Sequence, residues 1–165
     1  MDFLTLGHVA LSLAGILAGL VVLFGLIGAK RLDGWTTVFL TTTIATSVTG
    51  FFFPVRHFMP SHAIGILSLM ALGIAVVARY PRHMDGGWRR TYVISATVAL
   101  YFNVFVLVVQ LFRKVPALKE LAPTQSEPPF LVAQLIVMAI FVVLTILAAR
   151  NFHSDVRGDV ARIAA

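Results

Sequence analysis

Long apolar runs alternate with short charged segments along the whole chain. Five runs contain no Asp, Glu, Lys or Arg, and they cover 3–29, 35–53, 63–78, 91–112 and 130–149. A helix needs about 20 mainly apolar residues to cross a hydrocarbon core of roughly 30 Å. The pattern therefore predicts an all-α integral membrane protein, an antiparallel bundle of five transmembrane helices.

The third run is the shortest, and Ser61 with His62 extends it. The predicted spans are then 3–29, 35–53, 61–79, 91–112 and 130–149, in one transmembrane domain covering 1–165 with a tail at 150–165. If the third run lies in the interface instead of spanning, four helices remain. The segment 115–121 is predicted to form a short interfacial helix.

Composition agrees with a chain that faces lipid. Hydrophobic residues make up 59%, charged residues 12%, and mean hydropathy is +0.93, which leaves too few charges to cover a soluble globule. No basic segment precedes the first run, so we interpret it as a retained helix and not a signal peptide. The absence of cysteine excludes disulfides and thiolate sites.

The basic residues divide unequally between alternate loops. One side of a five-helix arrangement receives Lys30, Arg31, Arg79, Arg82, Arg89, Arg90, Arg150, Arg157 and Arg162; the other receives Arg56, Arg113, Lys114 and Lys119. The positive-inside rule then predicts an outside N-terminus and a cytoplasmic C-terminus, in a bacterial inner membrane. Because these residues flank apolar runs, the net charge of +6 indicates topology and anionic lipid, and not nucleic acid.

Polar side chains within the spans concentrate in the predicted outer half of the bilayer. In lipid such groups are costly unless they face protein or water. Some recur at helical spacing with small residues, as in the stripe formed by His8, Ser12, Gly15 and Gly19. We therefore predict a pocket in the outer half, lined by His8, Ser12, His62, Asn103, Gln110 and Gln134.

The second run is rich in threonine and serine, with eight hydroxyl residues between 36 and 49. A hydroxyl can bond to a carbonyl one turn back in its own helix, so no ligand is needed to explain them. We interpret this richness as a structural feature of the helix.

Enzymatic motifs are absent from the sequence. No carboxylate lies within a span, and no nucleophile elbow, zincin motif or phosphate loop occurs. The favoured hypothesis is a protein without enzymatic activity that binds a lipid or quinone-like molecule, or a partner's transmembrane helix, in this pocket.

Two alternatives stay open. The polar groups could only hold helices together, as in an assembly subunit or a homo-oligomer. Alternatively, His8 and His62, with His57 as a substitute, could ligate haem b in a redox subunit.

Overall fold

The computed structural model describes residues 3–53 and 60–153, and these form helices without any strand. The helices are α1 (Phe3–Ile27), α2 (Asp33–Thr49), α3 (Pro60–Arg79), α4 (Trp88–Lys114), α5 (Pro116–Leu121) and α6 (Pro128–Asn151). A single 3-10 turn, Gly50–Phe52, continues α2. We call the end of the bundle at which α1 begins the first end, and the opposite end the second end.

Four of the helices are long and apolar enough to cross a membrane: α1, α3 from His62, α4 and α6. They indicate an integral membrane protein, as the apolar runs predict. The remaining long helix, α2, has 17 residues, and its threonines lower its hydropathy.

The helices extend beyond several of the predicted spans. Thus α4 begins at Trp88 and ends at Lys114, which adds basic residues to both ends of the predicted span 91–112. Long basic side chains can reach the headgroups while their backbone continues the helix. The segment predicted to be interfacial is the short helix α5, and α6 begins with Pro128 and Pro129 in its first turn.

Small residues allow α1 to approach its neighbours closely. A Cβ atom added at Gly15 would lie 2.9 Å from the Thr43 hydroxyl, and one at Gly19 would lie 2.5 Å from Leu100 and 2.9 Å from Phe39. The most extensive packing is between α1 and α2 and between α3 and α4, and α6 packs on α4 and α1. The predicted small-residue stripe is therefore the contact face of α1.

The apolar core fills the part of the bundle toward the second end, whereas the outer helix faces carry exposed apolar side chains. Core residues include Leu23, Phe39, Leu72, Leu100 and Tyr92. On α6 most of the surface faces outward, and Met138, one turn after the buried Gln134, is exposed. These exposed apolar faces suit contact with lipid.

A buried arginine joins two helices at the second end. The Arg79 side chain is 3% exposed and pairs with Asp33, which also binds Arg31. The Arg79 guanidinium carbon lies 5.2 Å from the centre of the Tyr92 ring and 5.8 Å from that of Tyr80. Because a buried charge is stable only when paired, this cluster fixes the start of α2 against the end of α3.

Candidate functional site

A cavity of about 620 Å³ lies between α1, α2, α3 and α4 at the first end of the bundle. This volume is within the range of about 300–1,000 Å³ that is typical of sites for small molecules. Apolar side chains from three helices and the 3-10 turn form much of its wall, among them Val9, Phe51, Ile64, Val106 and Leu107.

The deepest part of the cavity is polar but uncharged. Ser12 donates a hydrogen bond from Oγ to Asn103 Oδ1 at 2.9 Å, and Asn103 Nδ2 lies 3.5 Å from the Ser12 carbonyl oxygen. On the other side, Ser47 donates to Ser68 at 3.3 Å between their hydroxyl oxygens. At about 1.5 Å per residue, Ser12 lies roughly 14 Å along α1 from its start.

Thr46 also lines this polar floor, and its hydroxyl, like that of Thr43, is buried without a hydrogen-bond partner among the described residues. Thr42 and Thr49 donate to the carbonyls of Val38 and Ala45, one turn back, at 2.7 and 2.8 Å. By contrast, Thr46 is 8% exposed and its hydroxyl has no hydrogen-bond partner among the described residues. Because this oxygen is itself enclosed by protein, a hydrogen bond to a molecule in the cavity requires the side chain to rotate, which the free-energy cost of an unpaired buried hydroxyl favours.

His8 stands on the cavity wall with one ring nitrogen engaged. Its Nδ1 lies 2.9 Å from the Thr49 hydroxyl, which is also 2.8 Å from the Ala45 carbonyl oxygen. We infer that the hydroxyl donates to this carbonyl and accepts from His8, which assigns the proton of the neutral imidazole to Nδ1 and leaves Nε2 unprotonated. The Phe53 ring packs edge-on against the imidazole at 5.1 Å between centroids.

The mouth of the cavity is basic. Gln110, Arg113 and Lys114, in the last two turns of α4, line it together with His62 on α3. The His62 ring lies 5.6 Å from that of Phe51. No carboxylate is among the described residues that line the cavity.

Five of the six predicted pocket residues line this one cavity: His8, Ser12, His62, Asn103 and Gln110. The sixth, Gln134, packs between α6 and α4, where its Nε2 donates to the Phe105 carbonyl at 3.3 Å. His57 lies outside the described residues.

Sequence reasoning missed the residues that α2 and α3 contribute to the floor, and the two cations at the mouth. The hydroxyl residues are Thr46, Ser47 and Ser68, and nothing in the sequence separates them from hydroxyls that bond within their own helix. Arg113 and Lys114 were assigned only to topology. Their position one turn beyond Gln110 on α4 is the signal that could have placed them at the mouth.

Comparisons with known proteins identify no family for this chain: no family model, no curated protein and no solved structure matches it. Within the described residues no group of three or more His, Cys, Asp or Glu side chains is placed to hold a metal ion. Any function must therefore be argued from the cavity itself.

Proposed function

We propose that the chain crosses a bacterial inner membrane five times, with its N-terminus outside and its C-terminus in the cytoplasm. Contacts of α2 at both ends support the fifth crossing. Near the second end a Cβ at Gly25 would lie 2.6 Å from the Leu32 side chain just before α2, and at the first end Thr49 bonds to His8. Thus α2 runs alongside α1 for nearly its whole length, and the first end is then the outer one.

We further propose that the protein binds a small amphipathic molecule, such as a lipid or a quinone, in the cavity. The observation that carries this proposal is a cavity of about 620 Å³ whose walls are mostly apolar and whose inner end is lined by the neutral polar residues Ser12, Ser47, Ser68 and Asn103. Ligand sites of this kind combine a mostly apolar lining with a few oriented polar groups. His8 Nε2 supplies a further neutral hydrogen-bonding group.

The proposal is tested by identifying molecules that copurify with the protein. We expect mass spectrometry of organic extracts to find one lipid or quinone at near-stoichiometric amount. Val106→Trp places an indole in the cavity and should abolish its retention, whereas Val142→Trp, on the lipid-facing side of α6, should not. Equal retention by both variants at equal folding would contradict the proposal.

The structural alternative assigns the polar groups only to helix association. Asn103 and Gln134 provide a matched pair, since both are 7% exposed amides on spanning helices but only Asn103 lines the cavity. A ligand site predicts that Asn103→Leu lowers ligand retention severalfold while Gln134→Leu leaves it unchanged. If both variants lose thermal stability and neither changes retention, the amides only join helices, as in an assembly subunit.

The haem hypothesis has one favourable observation. His8 and His62 line the same cavity, and the bond from His8 Nδ1 to Thr49 is the type of contact that orients a ligating imidazole through its other nitrogen. If these residues ligate haem b, protein expressed with ample haem will show a Soret band that His8→Ala abolishes. A colourless wild-type protein would exclude this function.

A further inference from the structure

We propose that the molecule bound in the cavity carries an acidic group, a carboxylate or a phosphate, and that Arg113 and Lys114 bind this group at the mouth. The inference rests on the proposed ligand-binding function and specifies the chemical class of the ligand. It adds a charged recognition element to a site otherwise built from neutral groups.

Arg113 and Lys114 differ from Arg31 and Arg79, which have an anionic partner. They share the lack of such a partner among the described residues with Arg82 and Arg150, and what sets them apart is their position at the cavity. At the second end Arg31 and Arg79 share the Asp33 carboxylate. Neither Arg113 nor Lys114 forms an ion pair with any described residue, and the described lining of the cavity contains only basic and neutral groups. Adjacent like charges beside a low-dielectric wall create a positive potential that attracts an anion.

The spacing along α4 defines the shape of the ligand. Asn103, Val106, Leu107, Gln110 and Lys114 all line the cavity and recur every three or four residues, so they form one continuous face of the helix. Lys114 lies 11 residues beyond Asn103, or about 16 Å at 1.5 Å per residue. An acidic group at Lys114 would therefore be followed by an apolar part against Val106 and Leu107.

The far end of the same molecule would meet the neutral floor. Thr46 lines the cavity there, and the Ser12–Asn103 pair lies at the same depth. A suitable ligand is thus an amphiphile with an acidic end and an apolar body. A free inorganic anion would use only the mouth, and an uncharged amphiphile would leave the two cations without an anion.

Binding of matched amphiphiles to purified protein in non-ionic detergent tests the inference. The probes are oleate, oleyl alcohol, oleoyl lysophosphatidate and inorganic phosphate, measured by equilibrium dialysis at pH 8. We expect oleate or the lysophosphatidate to bind at least about tenfold more tightly than oleyl alcohol, the ratio that corresponds to about 1.4 kcal/mol. The better of the two identifies carboxylate or phosphate as the preferred group.

Charge-neutral variants show which residues cause the preference for an acidic amphiphile. Arg113→Gln/Lys114→Gln should reduce the ratio of acid to alcohol affinity to near one, while Lys119→Gln on α5, which does not line the cavity, should leave it unchanged. The single variants Arg113→Gln and Lys114→Gln should each reduce the ratio partially. They replace the double variant in this measurement if the double variant does not fold.

The outcomes separate this inference from the proposed function. Equal affinity of wild type for oleate and oleyl alcohol, with both lost in Val106→Trp, would overturn the acidic preference and leave the amphiphile site intact. Inorganic phosphate binding as tightly as the lysophosphatidate would also overturn it, since the apolar body would then contribute nothing. No specific binding of any probe and no copurified ligand would contradict both.

Discussion

At the scale of single residues, a hydroxyl group has different consequences depending on where its hydrogen bond goes. Thr37 and Thr41 are exposed and donate to the carbonyls of Asp33 and Thr37, 3.0 and 2.7 Å away, which conceals their polarity from lipid. Thr49 also donates backward, but its oxygen lies 2.9 Å from His8 Nδ1 as well. Thr46 does neither, so four threonines of one helix have three different roles.

The His8–Thr49 contact predicts a defined imidazole tautomer. Thr49→Val keeps the side-chain shape but removes the acceptor of the Nδ1 proton, so the neutral ring should change from one tautomer to a mixture. Imidazole ¹⁵N chemical shifts of selectively labelled protein measure this directly. Thr37→Val, which removes a hydroxyl bonded within its own helix, should leave the His8 signals unchanged. A wild-type ring protonated at Nε2 would show that the proposed donor direction is wrong.

The candidate site was predictable from sequence only where helical spacing constrains it. Asn103 and Gln110 share one face of α4 because they are seven residues apart, and that face lines the cavity. Spacing also predicts that Gln134 is buried, as it is, but it does not reveal which neighbouring helix the residue meets. Ser47 was interpreted as a structural hydroxyl and Ser68 was not predicted, because hydroxyls are tolerated on any face of a membrane helix.

At the scale of helices, the approach of α1 to α2 and α4 depends on glycine. Gly19→Ala would place its Cβ 2.9 Å from the Phe39 ring and 2.5 Å from Leu100, so the helices must separate or the side chains move. We expect a loss of about 1–3 kcal/mol, the usual effect of overpacking. Gly73→Ala has nothing within 4 Å of its Cβ and should be neutral or slightly stabilising. Unfolding of both variants in mixed micelles measures the difference, and equal stabilities would argue against close packing at Gly19.

The arginine cluster at the second end gives a second prediction about helix packing. Arg79 and Arg31 both bind Asp33, but their side chains are 3% and 53% exposed. Arg79→Gln removes the buried partner and its contacts with two tyrosine rings, and should cost about 1–3 kcal/mol. Arg31→Gln removes an exposed pair and should cost less than about 1 kcal/mol. Thermal denaturation compares them, and a larger effect of Arg31→Gln would contradict the structure.

Sequence patterns located the helices well but their ends less well. Runs without charged residues predict which part of each helix lies in the hydrocarbon core, whereas a helix ends where its backbone hydrogen bonds stop. Arg90, Arg113 and Lys114, all exposed, continue α4 past its apolar run, since their long side chains can reach water. The pairing of Arg79 with Asp33 was missed because Arg79 was assigned only to topology.

At the scale of the whole molecule, the cavity and most of the basic residues lie at opposite ends. The first end has the cavity and two cations at its mouth. The second end has the Arg79 cluster and the loop with Arg82, whose guanidinium carbon is 5.0 Å from the centre of the Trp88 ring. With a cytoplasmic second end, the positive-inside rule is satisfied and the cavity opens toward the outer leaflet or the periplasm.

This orientation and the crossing by α2 are testable with single cysteines, because the native chain contains none. Gly34→Cys and Gly87→Cys add side chains where nothing lies within 4 Å of the Cβ, and Gln125→Cys is in the loop between α5 and α6. In intact cells a membrane-impermeant maleimide should label Gln125→Cys, and should label the two glycine variants only after the cells are opened. If α2 returned without crossing, Gly34 and Gly87 would lie on opposite sides of the membrane, because only α3 would separate them. Labelling of one glycine variant and protection of the other in intact cells would therefore indicate four spans. Labelling of both glycine variants with protection of Gln125→Cys would indicate the opposite orientation in the membrane.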